Sequence, residues 1–194
     1  MPHVTIIAGP NGAGKTTSAP LILKDIFHVD TFVNADVIAQ GLCAFKPESA
    51  AIQAGRLMLK RINELAHAGE NFAFETTLAS RSFSVMISEM KKKGYKFYLF
   101  YLWLKDANLA ISRVEERIRL GGHSVPTDVI KRRYQSGLNN FFNLYKPMAD
   151  FWQLIDNSDT NKLVPIASGS AITDEITIVN KSTWKALIEV HNEK

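Results

Sequence analysis

Residues Gly9-Pro10-Asn11-Gly12-Ala13-Gly14-Lys15-Thr16 fit the pattern G-x-x-x-x-G-K-[ST], and the hydroxyl of Thr17 follows at once. These residue types at this spacing bind phosphates. Glycines let the chain curl so that successive backbone N–H groups face phosphate oxygens, and a helix starting at the lysine adds the positive end of its dipole. Lys15 is placed to reach the β and γ phosphates of ATP, and Thr16 to offer a hydroxyl to Mg²⁺. A glycine-rich turn without function is the alternative. It is disfavoured because the pattern arises by chance in roughly 1% of chains of this length and here lies between a β-branched run and a helix-forming segment.

Phosphoryl transfer to a hydroxyl needs a carboxylate near the γ phosphate, and in a parallel sheet such side chains come from the C-terminal ends of strands. Asp36, in Phe32-Val33-Asn34-Ala35-Asp36, and Glu75, in Phe72-Ala73-Phe74-Glu75-Thr76-Thr77, occupy such positions. Asp36 has an alternative as the N-cap of the helix carrying Val37, Ile38 and Ala39, and Glu75 one as a structural partner of a backbone group or an arginine. Asp106 reads as an N-cap. GTPase switch motifs are excluded: no Asp has Gly three positions on, and Asn161-Lys162 and Asn180-Lys181 lack the Asp of N-K-x-D. Larger motor ATPases need more chain, which leaves the small kinases.

From Arg113 to Arg133 the chain carries six basic and three acidic residues, most of the surplus behind its net charge of +4. Arg113 and Arg117 are four apart on one helix face, Gly121-Gly122 break the helix, and Arg132-Arg133-Tyr134 sit on the next. This segment, about 113–133, suits a lid that closes over ATP and brings guanidinium groups to the transferring phosphoryl. Helical phase does not separate Arg117 from Arg119, which flank the Ile111, Val114, Ile118 face at about 100° on either side. Solvated surface arginines are the alternative. Lys91 to Lys93 read as cations favoured at a helix C-terminus. His3, His28, His67, His123 and His191 have no metal-ligand spacing, so Mg²⁺ is the metal inferred.

The elements that must hold these groups alternate, strand with helix, which indicates α/β architecture. Strands are expected at His3–Ala8, Thr31–Asn34, Asn71–Thr76, Tyr95–Leu104 and Phe151–Asp156, forming a central parallel sheet of about five strands. Helices are expected from Lys15 to Ile26, from Pro47 to Gly69, after a Ser80 cap to Gly94, from Asp106 to Leu120 and from Thr127 to Tyr145. A hairpin of Leu163–Ala167 with Ile176–Asn180 and a last helix near Trp184–Val190 follow. The whole reads as a single domain, residues 1–194. With 46% hydrophobic and 22% charged residues in 194, the chain has an ordinary globular composition. The longest apolar run, Phe97 to Leu104, is far short of the roughly 20 residues of a membrane span. A start lacking the pattern of a secretory signal makes a cytoplasmic location the expectation, and the lone Cys43 allows no internal disulfide. A charge of +4 fits a polyanionic ligand without requiring nucleic acid.

Together, Gly9 to Thr17, Asn34-Ala35-Asp36, Phe74-Glu75-Thr76-Thr77-Leu78, the run Arg113 to Pro126 and Arg132-Arg133-Tyr134 resemble the zeta toxin family of P-loop kinases over about residues 1–160. That resemblance implies a three-layer P-loop fold and transfer of phosphate from ATP, with Mg²⁺, to a small-molecule acceptor, in characterised toxins the nucleotide sugar UDP-N-acetylglucosamine. It implies that Asp36 is the catalytic base, that Lys15 and Thr16 contact phosphate and Mg²⁺, and that Glu75 is the acidic residue after the third strand. Arg117 and Arg133 match phosphate-contacting lid arginines, with Arg132 a close rival, and Asp156-Asn157-Ser158 resembles the loop against adenine. Nucleosides, antibiotics and RNA 5′-hydroxyls are the alternative acceptors, and a nucleotide-dependent binding module, with or without an antitoxin, is the alternative class.

Overall fold

Strand β1 (His3–Ala8) alternates its buried side chains: Val4, Ile6 and Ala8 enter one apolar cluster and Ile7 another. A strand buried on both faces belongs at the centre of a sheet covered by helices on each side. The computed structural model, which describes residues 1–194 apart from 28, 123, 160, 161, 193 and 194, has that architecture. His28, His123 and Asn161, considered above, lie outside the described residues.

The order after β1 is α1 (Lys15–Phe27), β2 (Phe32–Val33), α2 (Ala35–Leu42), a 3-10 turn (Pro47–Ala50) leading into α3 (Ala51–Ala68), β3 (Phe72–Thr76), α4 (Ser82–Lys92) and β4 (Lys96–Trp103). Then come α5 (Ala107–Arg119), α6 (Thr127–Asn140), a π-helical turn (Phe141–Tyr145), β5 (Phe151–Asp156), β6 (Val164–Gly169), β7 (Ile176–Ile178) and α7 (Lys181–Asn192). The strands form one sheet in the order β2-β3-β1-β4-β5-β6-β7. Neighbours from β2 to β5 are parallel, and β6 and β7 join antiparallel. The five-stranded parallel sheet expected from sequence is thus present, and the hairpin extends its β5 edge rather than standing apart.

Two apolar clusters fill the spaces between three layers. Met58 and Ile62 of α3, Ile87 of α4 and Phe141 pack with Phe97, Leu99 and Tyr101 on one face of β4. Ala19, Ile22 and Leu23 of α1, Ala110 and Val114 of α5, and Ile130 of α6 pack with Phe100 and Leu102 on the other. Burying each large side chain contributes about 1.5–3 kcal/mol, so this alternation fixes which helix lies on which face. Among the described residues no helix is long and apolar enough to cross a membrane.

Three expectations are corrected. The strand over Thr31–Asn34 shortens to Phe32–Val33 because Asn34 leaves the ladder to cap α2, its Oδ1 accepting the N–H groups of Asp36 at 2.8 Å and Val37 at 3.3 Å. Asp36 therefore lies in the first turn of α2 and is not its cap. Ser80 does not cap α4: Arg81 holds that position, and Ser80 Oγ takes the Ser82 N–H at 3.1 Å one residue earlier. The helix expected from Thr127 to Tyr145 changes to a π-helical turn after Asn140, where Phe141, Phe142 and Tyr145 are all buried. Asp106 caps α5 as expected, its carboxylate accepting the Leu109 N–H at 2.8 Å.

Candidate active site

The candidate groups meet at the C-terminal edge of the parallel strands. β1 runs into the Gly9–Thr16 loop, which folds back closely on its neighbours. Gly9 has φ +139, and a Cβ there would lie 2.3 Å from the Leu102 carbonyl oxygen. At Gly14, φ is +75 and a Cβ would fall 2.7 Å from Asn157 Nδ2, the atom that donates to the Ala13 carbonyl at 2.7 Å. Both positions demand glycine, by backbone conformation and by space. The loop is thereby clamped between β4 and the residue after β5.

Lys15 opens α1 and is 6% exposed, so its ammonium needs partners. Nζ donates to the Pro10 carbonyl at 2.9 Å and lies 3.6 Å from Glu75 Oε1. Burial, the largest influence, holds this ammonium below its ordinary pKa. Glu75 and Asp36 work against that shift, and Arg117 adds to it.

Glu75 sits near the end of β3. Its Oε2 accepts from Thr16 Oγ1 at 2.7 Å and from Asn34 Nδ2 at 2.8 Å. Asn34 thus ties three things together: it caps α2, which carries Asp36, and joins that cap to the Thr16–Glu75 pair. Sequence reasoning quoted Asn34 within a motif and gave it no role, although an Asn two residues before a helical Asp is a recognisable cap signal. Thr76 and Thr77 beyond Glu75 are steadied from behind. Leu78 adopts φ +55, and its carbonyl accepts from Asn140 Nδ2 at 2.7 Å, while Tyr145 Oη donates to the Ser80 carbonyl at 2.7 Å.

Three cavities adjoin this edge. One of about 600 Å³ is lined by Gly12, Gly14, Thr17, Arg113, Arg117 and Asn157. A second, of about 310 Å³, brings Asn11, Lys15, Asp36, Glu75, Arg117 and Arg133 together, with Met58, Leu59 and Phe83 as an apolar wall. A third, of about 490 Å³, has Thr16, Asn34, Asp36, Phe45 and Arg117 on its surface. Gly12 and Arg117 border both of the first two, and Asp36 both of the last two. Pro10 and Ala13, within the expected phosphate loop, are buried and act through its backbone.

The arginines that helical phase left open differ in placement. Arg117 is half-buried and lines all three cavities, whereas Arg119 is exposed and lines none of them. Arg133 is half-buried, with Nη1 3.5 Å from Asn11 Oδ1, whereas Arg132 is exposed. Arg113 donates to the carbonyls of Asn157 at 2.7 Å and Ser158 at 2.9 Å, so it anchors the loop after β5. The oxygen donors Thr16 Oγ1 and Glu75 suit a hard cation such as Mg²⁺, which binds through one or two carboxylates and substrate phosphates.

An uncharacterized protein of Haemophilus influenzae is 28% identical over 126 residues, 65% of this chain and 88% of its own length. Among solved structures, the AvrRxo1-ORF1:-ORF2 complex with ATP superposes with a TM-score of 0.76 at 17% identity. The match covers 96% of this chain, which spans 63% of that chain's length. The PezAT chromosomal toxin–antitoxin system of Streptococcus pneumoniae gives a TM-score of 0.65 at 16% identity, over 100% of this chain and 85% of that one. At such identities the structures share the fold. The profile of the zeta toxin family matches residues 46–168, a span holding Glu75, Arg117, Arg133 and Asn157. That span is more than half of the sequence, and the chain belongs to the zeta toxin family.

Proposed function

We propose that this chain is a kinase that transfers the γ-phosphate of ATP to a hydroxyl of a small molecule. The observation that carries this reading is the junction at Lys15, Asp36 and Arg117. The larger cavity lies beside the phosphate loop, the smaller one holds the two carboxylates, and Arg117 borders both. ATP in the larger cavity would be held by the loop N–H groups, with Lys15 on the adjoining smaller cavity to meet its phosphates and Asn157 bracing the loop through the Ala13 carbonyl. When bound, Mg²⁺ neutralises charge developing on the phosphate oxygens, and Thr16 and Glu75 are the residues suited to hold it. Asp36 orients the acceptor hydroxyl and takes its proton as the acceptor oxygen bonds to phosphorus. The bond from phosphorus to the ADP oxygen breaks in the same transfer, and Asp36 then releases the proton to water. Arg117 and Arg133 balance charge on the moving phosphoryl.

The family supports an acceptor such as a nucleotide sugar, and a cytoplasmic location, read from sequence, belongs to the same proposal. The PezAT neighbour supports a protein antitoxin as a partner, testable by co-purification with the product of an adjacent gene. The deciding experiment incubates the protein with ATP, Mg²⁺ and, in turn, UDP-N-acetylglucosamine, other nucleotide sugars, nucleosides, aminoglycosides and a 5′-hydroxyl RNA. A mass gain of one phosphoryl group on a small acceptor is expected. A product from RNA alone overturns the acceptor class, and bound ATP without any product favours a nucleotide-dependent binding module.

A further inference from the structure

Gly55 lies in the interior of the 18-residue helix α3, where glycine is unfavourable compared with alanine. The usual structural reasons for a glycine are missing. It is not among the residues with positive φ, and an ideal Cβ there meets no atom within 4 Å. Yet Gly55 is half-buried, because it lines the smaller cavity beside Met58 and Leu59 of the same helix face, with Phe83 of α4 and the carboxylate of Asp36 on the same surface. Gly41 in α2 makes the contrast. Its Cβ would also meet nothing within 4 Å, but Gly41 is exposed and lines none of the three cavities.

Resting on the kinase reading, we infer that Gly55 is a specificity-determining residue: the space it clears on α3 receives the body of the acceptor. The wall is helix backbone at Gly55 bordered by the apolar Met58, Leu59 and Phe83, and the hydroxyl-bearing residues Thr76, Thr77 and Ser82 line the same cavity. Such a wall fits a ring alcohol that lays an apolar face on α3, directs polar groups to those hydroxyls and presents one hydroxyl to Asp36. Sugars and nucleosides share that chemistry.

The test compares Gly55→Ala with wild type and with Gly41→Ala, using a free hexosamine, a nucleoside, an aminoglycoside and UDP-N-acetylglucosamine as acceptors. Both variants gain helix propensity, with Tm rising about 2–4 °C. Gly55→Ala is expected to raise the acceptor KM about tenfold or more, the scale on which one methyl group discriminates in a pocket, and to leave the ATP KM unchanged. Gly41→Ala is expected to change neither KM. A more stable Gly55→Ala with an unchanged acceptor KM overturns the inference and leaves the kinase reading intact. If wild type phosphorylates none of the four, the kinase reading is judged separately by the wider acceptor panel above, and Gly55 by calorimetric binding of the same compounds with ATP present. Affinity unaltered by Gly55→Ala, or no compound bound by wild type, then overturns the inference.

Discussion

Glu75 and Asp150 are both carboxylates beside lysines, at opposite ends of the same parallel sheet, and their surroundings differ in kind. Asp150 is closed: Lys91 Nζ donates to Oδ2 at 2.8 Å, Lys96 Nζ to Oδ1 at 3.3 Å and the Phe97 N–H to Oδ2 at 2.8 Å. Lys91 also donates to the Met148 carbonyl at 2.7 Å, so the cluster staples the end of α4 and the segment leading into β5 to the start of β4. At Glu75 the lysine is the more deeply buried of the two, yet it stands 3.6 Å away, and both groups line a cavity that also holds Asp36 and Arg133. One end of the sheet uses its charges to hold the fold. The other holds a buried ammonium that burial keeps below its ordinary pKa, 3.6 Å from its carboxylate and beside a cavity, where the proposed phosphate would add to its partners.

Removing the lysine at the open end is expected to have the largest consequence. Lys15→Ala should cut transfer by at least about 10²-fold, the scale of losing one preorganised charge, while the folded chain persists because Glu75 keeps Thr16 and Asn34 as partners. Turnover near wild type, with ATP saturating, would detach Lys15 from phosphate. The arginines come next: Arg117→Ala and Arg133→Ala should lower turnover strongly, and Arg119→Ala and Arg132→Ala should not. All four should stay within about 0.5 kcal/mol in stability, as substitutions away from the core do. Equal kinetics in the four variants would erase the distinction between cavity-lining and exposed positions.

At the closed end the expected effect is on stability alone. Asp150→Ala leaves the Phe97 N–H and the Lys96 ammonium without this acceptor and Lys91 with the Met148 carbonyl, a cost of about 1–3 kcal/mol in urea unfolding, with turnover of the folded protein unchanged. A loss of turnover without loss of stability would show that this end also serves the chemistry. The smallest effect is in acid. Burial pushes the Asp150 carboxyl up, but the Lys91 ammonium and the Phe97 N–H outweigh it and hold it below the ordinary 3.8. A lowered folded-state pKa contributes stability that is complete above the unfolded value and disappears as pH falls through the folded one. Wild type should therefore lose stability below about pH 4, and Asp150→Asn should lose less over that range.

The open end was legible in sequence because the proposed binding of phosphate restricts the residue types of a contiguous loop. Gly9, Gly14 and Lys15 carry that constraint in a run of eight, and the expected strand ends pointed to Asp36 and Glu75, which the structure places on one cavity. The edge position of β6 and β7 was not legible, since pairing with β5 is a tertiary event that short strands do not encode. Arg117 and Arg119 are equivalent by helical phase, and only the packing of α5 against the phosphate loop separates them. The cap at Asn34 is a local signal that the sequence does carry, but its second duty, donation through Nδ2 to Glu75, becomes visible only when β2 and β3 are adjacent. The π-helical turn after α6, where Phe141, Phe142 and Tyr145 are buried, was not legible either, because those three positions share one face of a regular helix as well.

The most direct measurement is the phosphorylated product formed by Asp36→Asn, quantified by mass beside its ATP affinity. Because Asn34 and not Asp36 caps α2, the variant should fold and bind ATP as wild type does. Its kcat toward the acceptor should fall about 10²- to 10⁴-fold, the range of a positioned general base. A kcat equal to that of wild type would contradict the assignment of Asp36 and, with it, the account of how the two cavities meet.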